Sequence, residues 1–173
     1  MSKFRLCLLA LPLVFAVPAE ASILGPDAAV CAAGNGPAIL VNVVGLKNRA
    51  GTVRARTFGG SPATWFNKKF ALKRTQVPTP SAGAVSICMP VPKPGTYAVD
   101  IRHDVNDNGD TDRADGGGAS GNPNITLFDV VFGRKPSAEK TSVQVGQGIT
   151  TITIVVKYAS GGSIKPVQMS GAR

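Results

Sequence analysis

Apolar and polar side chains alternate with a two-residue period in five separate stretches of the chain. Ile39, Val41 and Val43 alternate within 38–44, and Val53 and Ala55 alternate with Arg54 and Arg56. Val85, Ile87 and Met89 alternate with Ser86 and Cys88, and Tyr97, Val99 and Ile101 with Asp100 and Arg102. Ile152, Ile154, Val156 and Tyr158 alternate with Thr151, Thr153 and Lys157. An extended chain points successive side chains to opposite faces, so each stretch predicts a half-buried strand. The run 125–132 is apolar on both faces and predicts a strand covered by a further layer, and 142–145 adds a short one. Phe66 and Phe70 share helical spacing, but over so few residues that 65–73 predicts a single turn leading into a strand.

Between these stretches, 59–62, 78–83, 90–95 and 104–123 are rich in Gly, Pro, Asn and Asp, the residues that turns require. About seven strands separated by frequent turns predict an all-β fold: an antiparallel β-sandwich, immunoglobulin-like or transthyretin-like, with one long Asp/Asn/Gly loop. Gly95-Thr96-Tyr97, where a loop leads into a strand, suits the tyrosine that anchors sandwich corners. Composition agrees: 20 Gly and 13 Pro in 173 residues, without a collagen period, suit many turns better than a helix bundle. A single His removes most zinc and His-dependent catalytic architectures.

The N-terminus has its own pattern. Lys3 and Arg5 precede an apolar run from Leu6 to Val17, and Ala19-Glu20-Ala21 places small residues where a signal peptidase reads. Residues 1–21 are therefore expected to be a signal peptide, 22–158 the single sandwich domain, and 159–173 a mobile tail. No later segment reaches the roughly 20 apolar residues of a transmembrane helix, so the mature chain is expected to be periplasmic or secreted with no membrane span. Cys7 leaves with the signal peptide. Cys31 and Cys88 then form an even pair in an oxidising compartment, without CxxC spacing, which predicts one disulfide.

Acidic residues are concentrated rather than spread. Counting from Asp104, oxygen-bearing side chains fall at the first, third, fifth, ninth and twelfth places: Asp104, Asn106, Asn108, Asp112 and Asp115. Gly109 stands at the sixth place, where a calcium loop turns sharply, and Asp110 would offer its backbone carbonyl at the seventh. This spacing predicts calcium as cofactor, because calcium takes six to eight oxygens and no thiolate or imidazole set is present for zinc. The last place holds Asp rather than the longer Glu, and a strand replaces the helix that leads into an EF-hand loop.

Lys93-Pro94-Gly95-Thr96-Tyr97-Ala98-Val99, the loop from Arg102-His103-Asp104 through Asp112, Asp115 to Pro123, and Lys135-Pro136-Ser137 carry a family likeness. With these motifs the chain resembles the exported bacterial family catalogued as domain of unknown function 2141, from about Ile39 to Tyr158. The resemblance implies a small exported β-sandwich and no established activity.

The formal charge of +9 directs attention to the basic residues. Arg54 and Arg56 share one strand face, and Lys68, Lys69, Lys73 and Arg74 cluster around Phe66 and Phe70. Such a surface can attract an anionic envelope polymer or another envelope protein. No nucleic-acid motif accompanies it, so no nucleic acid is expected. The expected function is a non-enzymatic module with a structural calcium loop and a binding or envelope-associated role. The alternative is a metal-assisted hydrolase using the acidic loop and His103.

Overall fold

The computed structural model describes residues 22–167; the expected signal peptide and residues 168–173 lie outside the described residues. The elements run β1 (Ile23–Leu24), α1 (Ala28–Ala32), β2 (Ala38–Val44), β3 (Thr52–Phe58), β4 (Lys73–Pro78), β5 (Val85–Pro90), β6 (Gly95–Asp104) and β7 (Gly116–Ala119). They continue with α2 (Leu127–Val131), α3 (Ala138–Thr141), β8 (Val143–Val145), β9 (Ile149–Val155), β10 (Lys157–Ser160) and β11 (Ser163–Pro166). The fold is all-β, with two sheets and eleven strands among the described residues, where the sequence pattern predicts about seven.

One sheet has the order β1-β5-β2-β9; the other runs β11-β10-β7-β6-β3-β4, with β8 joining β6. Pairing is antiparallel except at β1–β5 and β2–β9, so the smaller sheet is mixed. The inner faces meet in one core. Ile39, Val41, Val43, Val85, Ile87 and Met89 come from the smaller sheet, and Val53, Ala55, Val77, Val99 and Ile101 from the larger. All but Val77 are positions that the two-residue period selects, and burying each valine, isoleucine or methionine among them stabilises the fold by about 1.5–3 kcal/mol.

A second cluster lies on the opposite face of the smaller sheet, where α1 packs Cys31 against Cys88 and Ala38. The two cysteines form the disulfide, with their Cα atoms 5.8 Å apart. Tyr97 donates its hydroxyl hydrogen to the Lys93 carbonyl at 2.6 Å, the corner contact its position suggested.

Three expectations are corrected. The run 125–132 is not a covered strand: it contains the short helix α2, none of whose residues is buried. Thr126 and Asp129 form a reciprocal capping box that starts the helix, a local signal that outweighs the β-propensity of the valines. Residues 159–167, expected to belong to a mobile tail, instead contain strand pairing, since Ser160 pairs with Ser163 and Tyr158 with Lys165 in a hairpin turned by Gly161 and Gly162. The region 104–123 is not loop throughout, because β7 interrupts it and pairs with both β6 and β10. Glycine makes that strand possible. A Cβ on Gly116 would lie 2.4 Å from the Tyr158 ring, and one on Gly118 would lie 2.7 Å from Ile154.

Candidate functional site

On the outer face of the larger sheet the alternation that buries Val53 and Ala55 turns Arg54 and Arg56 outward. Register places Arg54 opposite Arg102 of β6 and Gln76 of β4, and places Arg56 opposite Asp100 and Arg74. Arg54, Arg56, Lys68, Arg74 and Arg102 line one cavity of about 510 Å³, with Asp110 and Thr111 at its edge. Above one end, the 3-10 turns Pro62–Thr64 and Lys68–Phe70 are anchored by Trp65, which packs with Phe58 and Ala98. The acidic loop closes the other end. Of the basic residues singled out in the sequence, Lys73 is instead ion-paired with Asp27 at 2.6 Å, and Lys69 does not line the cavity. Arg102 joins the cluster through strand pairing, which alternation alone does not reveal.

Charge on this face is only partly offset. Arg56 is held bidentately by Asp100, its Nε 3.0 Å from Oδ1. The Arg74 guanidinium donates to Gln76 at 2.8 Å. Arg54 takes part in no ion pair among the described residues, and its Nε is buried without a hydrogen-bond partner. Burial, followed by the repulsion of Arg56, brings its pKa down to about 10. Opposed like charges across strands cost up to about 1 kcal/mol a pair, and here two such pairs, Arg54 with Arg102 and Arg56 with Arg74, lie side by side.

The acidic loop is knitted together by its own N–H groups. Asp104, buried at the end of β6, accepts from the Asn108 and Gly109 backbones at 3.2 and 3.0 Å and from the Arg102 guanidinium at 2.7 Å. Arg102 also donates to the Gly109 carbonyl and to Thr111, so its charge sits where the carboxylates crowd. Asp115 accepts from the Val105 and Asp112 backbones. Asp112 accepts from the amides of Asn106 and Asn108 and from the Ala114 N–H. The Ala114 contact, then the Asn106 amide, holds its carboxyl below the usual carboxylate range. The Asp110 N–H donates to Asn108 Oδ1 at 2.9 Å.

The loop therefore brings Asn106, Asn108 and Asp112 to one point and turns Asp104 and Asp115 toward backbone and arginine. Among the described residues no group of three or more His, Cys, Asp or Glu side chains is placed to hold a metal.

His103 lies beneath the loop and is fully buried. Its Nε2–H donates to the Ala50 carbonyl at 2.8 Å, which leaves Nδ1 to accept the Tyr158 hydroxyl hydrogen at 2.6 Å. Tyr158 in turn accepts the Lys47 N–H, and burial pushes its phenol up to about 12. Both imidazole nitrogens are thus engaged in holding β6, β10 and the 45–51 turn together.

An all-β sandwich with a disulfide-tied helix on one sheet and an arginine-lined cavity on the other defines the class. The family model described as "Uncharacterized protein conserved in bacteria (DUF2141)" matches residues 41–153, and the chain belongs to that family. No curated protein and no solved structure matches it. No helix among the described residues is long and apolar enough to cross a membrane.

Proposed function

We propose that this chain is a non-enzymatic, exported binding module that holds a multiply charged anion, such as a segment of an anionic envelope polymer, on the basic face of β4, β3 and β6. The observation that carries this reading is Arg54: half-buried, flanked by Arg56, Arg74 and Arg102, and without a partnering carboxylate among the described residues. A like-charged cluster stabilises itself poorly but stabilises a bound polyanion well, because partial desolvation strengthens each charge-assisted hydrogen bond. The engagement of both His103 nitrogens supports a role without general acid–base chemistry.

Tripolyphosphate is the probe. It is expected to raise the melting temperature of the wild-type chain at low ionic strength, with the rise shrinking as salt screens the face. An Arg54→Gln/Arg74→Gln variant should lose most of that rise. An unchanged wild-type melting temperature at millimolar tripolyphosphate would refute the reading.

Calcium in the acidic loop is a second reading, favoured by one observation. The amides of Asn106 and Asn108 converge on one oxygen of Asp112, and a half-turn of the Asn106 amide would direct its carbonyl oxygen to the same point while Asn108 Oδ1 keeps the Asp110 N–H. The same melt, with millimolar calcium against chelator, is expected to show stabilisation that Asp112→Ala removes. No difference between calcium and chelator would refute it.

A further inference from the structure

Seven large hydrophobic side chains are exposed among the described residues, and five of them, Leu127, Phe128, Val130, Val131 and Phe132, fall within one six-residue segment. Val131 is 70% exposed and Phe132 62%. A concentration of this kind is unusual on a soluble domain, whereas single exposed hydrophobics are ordinary. The segment is held in shape: the Thr126–Asp129 capping box starts α2, and the Phe128 and Phe132 rings lie against each other, tilted by 42°, with centroids 4.1 Å apart. Arg134 lies over the Phe128 ring at 4.8 Å. Behind the helix, Arg134, Lys135, Lys140 and Ser137 line a polar cavity of about 190 Å³. Its one carboxylate, Asp129, already accepts from the Thr126 N–H and hydroxyl.

From this juxtaposition we infer that α2 and the residues following it dock on an anionic lipid surface, with Phe128, Val131 and Phe132 entering the acyl boundary and Arg134, Lys135 and Lys140 meeting the headgroup phosphates. Charge complementarity favours lipid as the occupant, and so does size. A protein interface of ordinary extent takes about 20–30 residues a side, which a six-residue apolar tip does not supply. A shallow amphipathic element needs only an apolar tip about 5–10 Å deep and a basic collar at the phosphate level. This site is separate from the arginine face of the sheet and does not rest on it.

The test uses the full chain with Val131→Trp and vesicles of roughly three parts phosphatidylcholine to one of phosphatidylglycerol, a surface negative enough to attract basic side chains. Trp65 is buried and gives a constant background. The introduced indole is expected to shift to shorter wavelength and to be quenched by brominated acyl chains, strongly with the anionic vesicles and weakly with pure phosphatidylcholine. Phe128→Ser/Phe132→Ser should lower co-flotation about tenfold or more, as two aromatic side chains no longer leave water. Arg134→Glu or Lys135→Glu should lower it about fivefold or more each.

An indole that is neither shifted nor quenched overturns the inference. So does quenching that Arg54→Gln abolishes while Arg134→Glu/Lys135→Glu leaves it intact, which would assign the vesicles to the sheet face. A dimer in sedimentation that Phe128→Ser/Phe132→Ser dissociates would overturn it too, because a second copy would then be the occupant.

Discussion

At neutral pH the Arg54 guanidinium is charged beside three other arginines, and burial makes that charge costly to the fold. Its folded pKa, about 10, is below its ordinary value, so the folded protein releases this proton before the unfolded chain does. Stability attributable to Arg54 therefore rises as pH climbs through about 10. Tyr158 acts in the opposite sense. Its phenol is raised to about 12, so the stability of the neutral form is complete below its ordinary value of about 10 and is lost as pH rises toward 12. The two contributions partly cancel in the wild type. Arg54→Gln should raise the urea midpoint at pH 7 and expose the Tyr158 loss as a steeper fall between pH 10 and 12. Urea melts across pH 7–12 check both; a variant less stable than wild type at pH 7 would show that Arg54 is paired in solution.

Strand β7 is a narrow element wedged between β6 and β10, and its glycines differ in what surrounds them. A Cβ on Gly118 would meet Ile154 at 2.7 Å and the Val155 carbonyl at 3.0 Å, whereas one on Gly117 meets only a carbonyl at 3.8 Å. Gly118→Ala is expected to cost about 1–3 kcal/mol by overpacking, and Gly117→Ala to remain within about 0.5 kcal/mol of wild type. Urea unfolding of the two single variants separates them.

The inward parity of Ile39, Val53, Ile87 and Ile101 is legible because the opposite face of each strand carries a polar side chain, Asn42, Arg54, Ser86 and Arg102 respectively. In 125–132 both faces are apolar, so period decides nothing and the capping box at Thr126 becomes the deciding signal. The unbroken alternation of Ile152, Ile154, Val156 and Tyr158 hides a change of sheet between β9 and β10, because both sheets face the same core. Arg54 and Arg56 are legible in the sequence as one basic strand face. That Arg102 completes the face and also supplies the cation within the acidic loop depends on long-range pairing, which spacing does not encode.

For the molecule as a whole, the disulfide is a tie outside the main core. It secures α1 to the outer face of the smaller sheet across a sequence separation of 57 residues. Reduction should lower stability by about 4 kcal/mol, from the regained freedom of the unfolded loop. Because the core between the sheets does not include either cysteine, the reduced chain should keep its sandwich. Thiol titration of the unreduced, denatured protein should find neither Cys31 nor Cys88 free; finding both free would refute the pairing.

The parallel pairing of β2 with β9 governs how this chain can come to exist at all. Ala38 lies beside Ile149, and Val44 beside Val155, so the smaller sheet joins the first third of the chain to its last. Until β9 is available, β2 presents an unpaired edge, the kind of surface that recruits other chains. Closing so long a loop is slow, and folds dominated by distant pairings complete in milliseconds to seconds. A chain delivered N-terminus first cannot mature progressively behind its leading end. Its smaller sheet closes only when the last strands arrive.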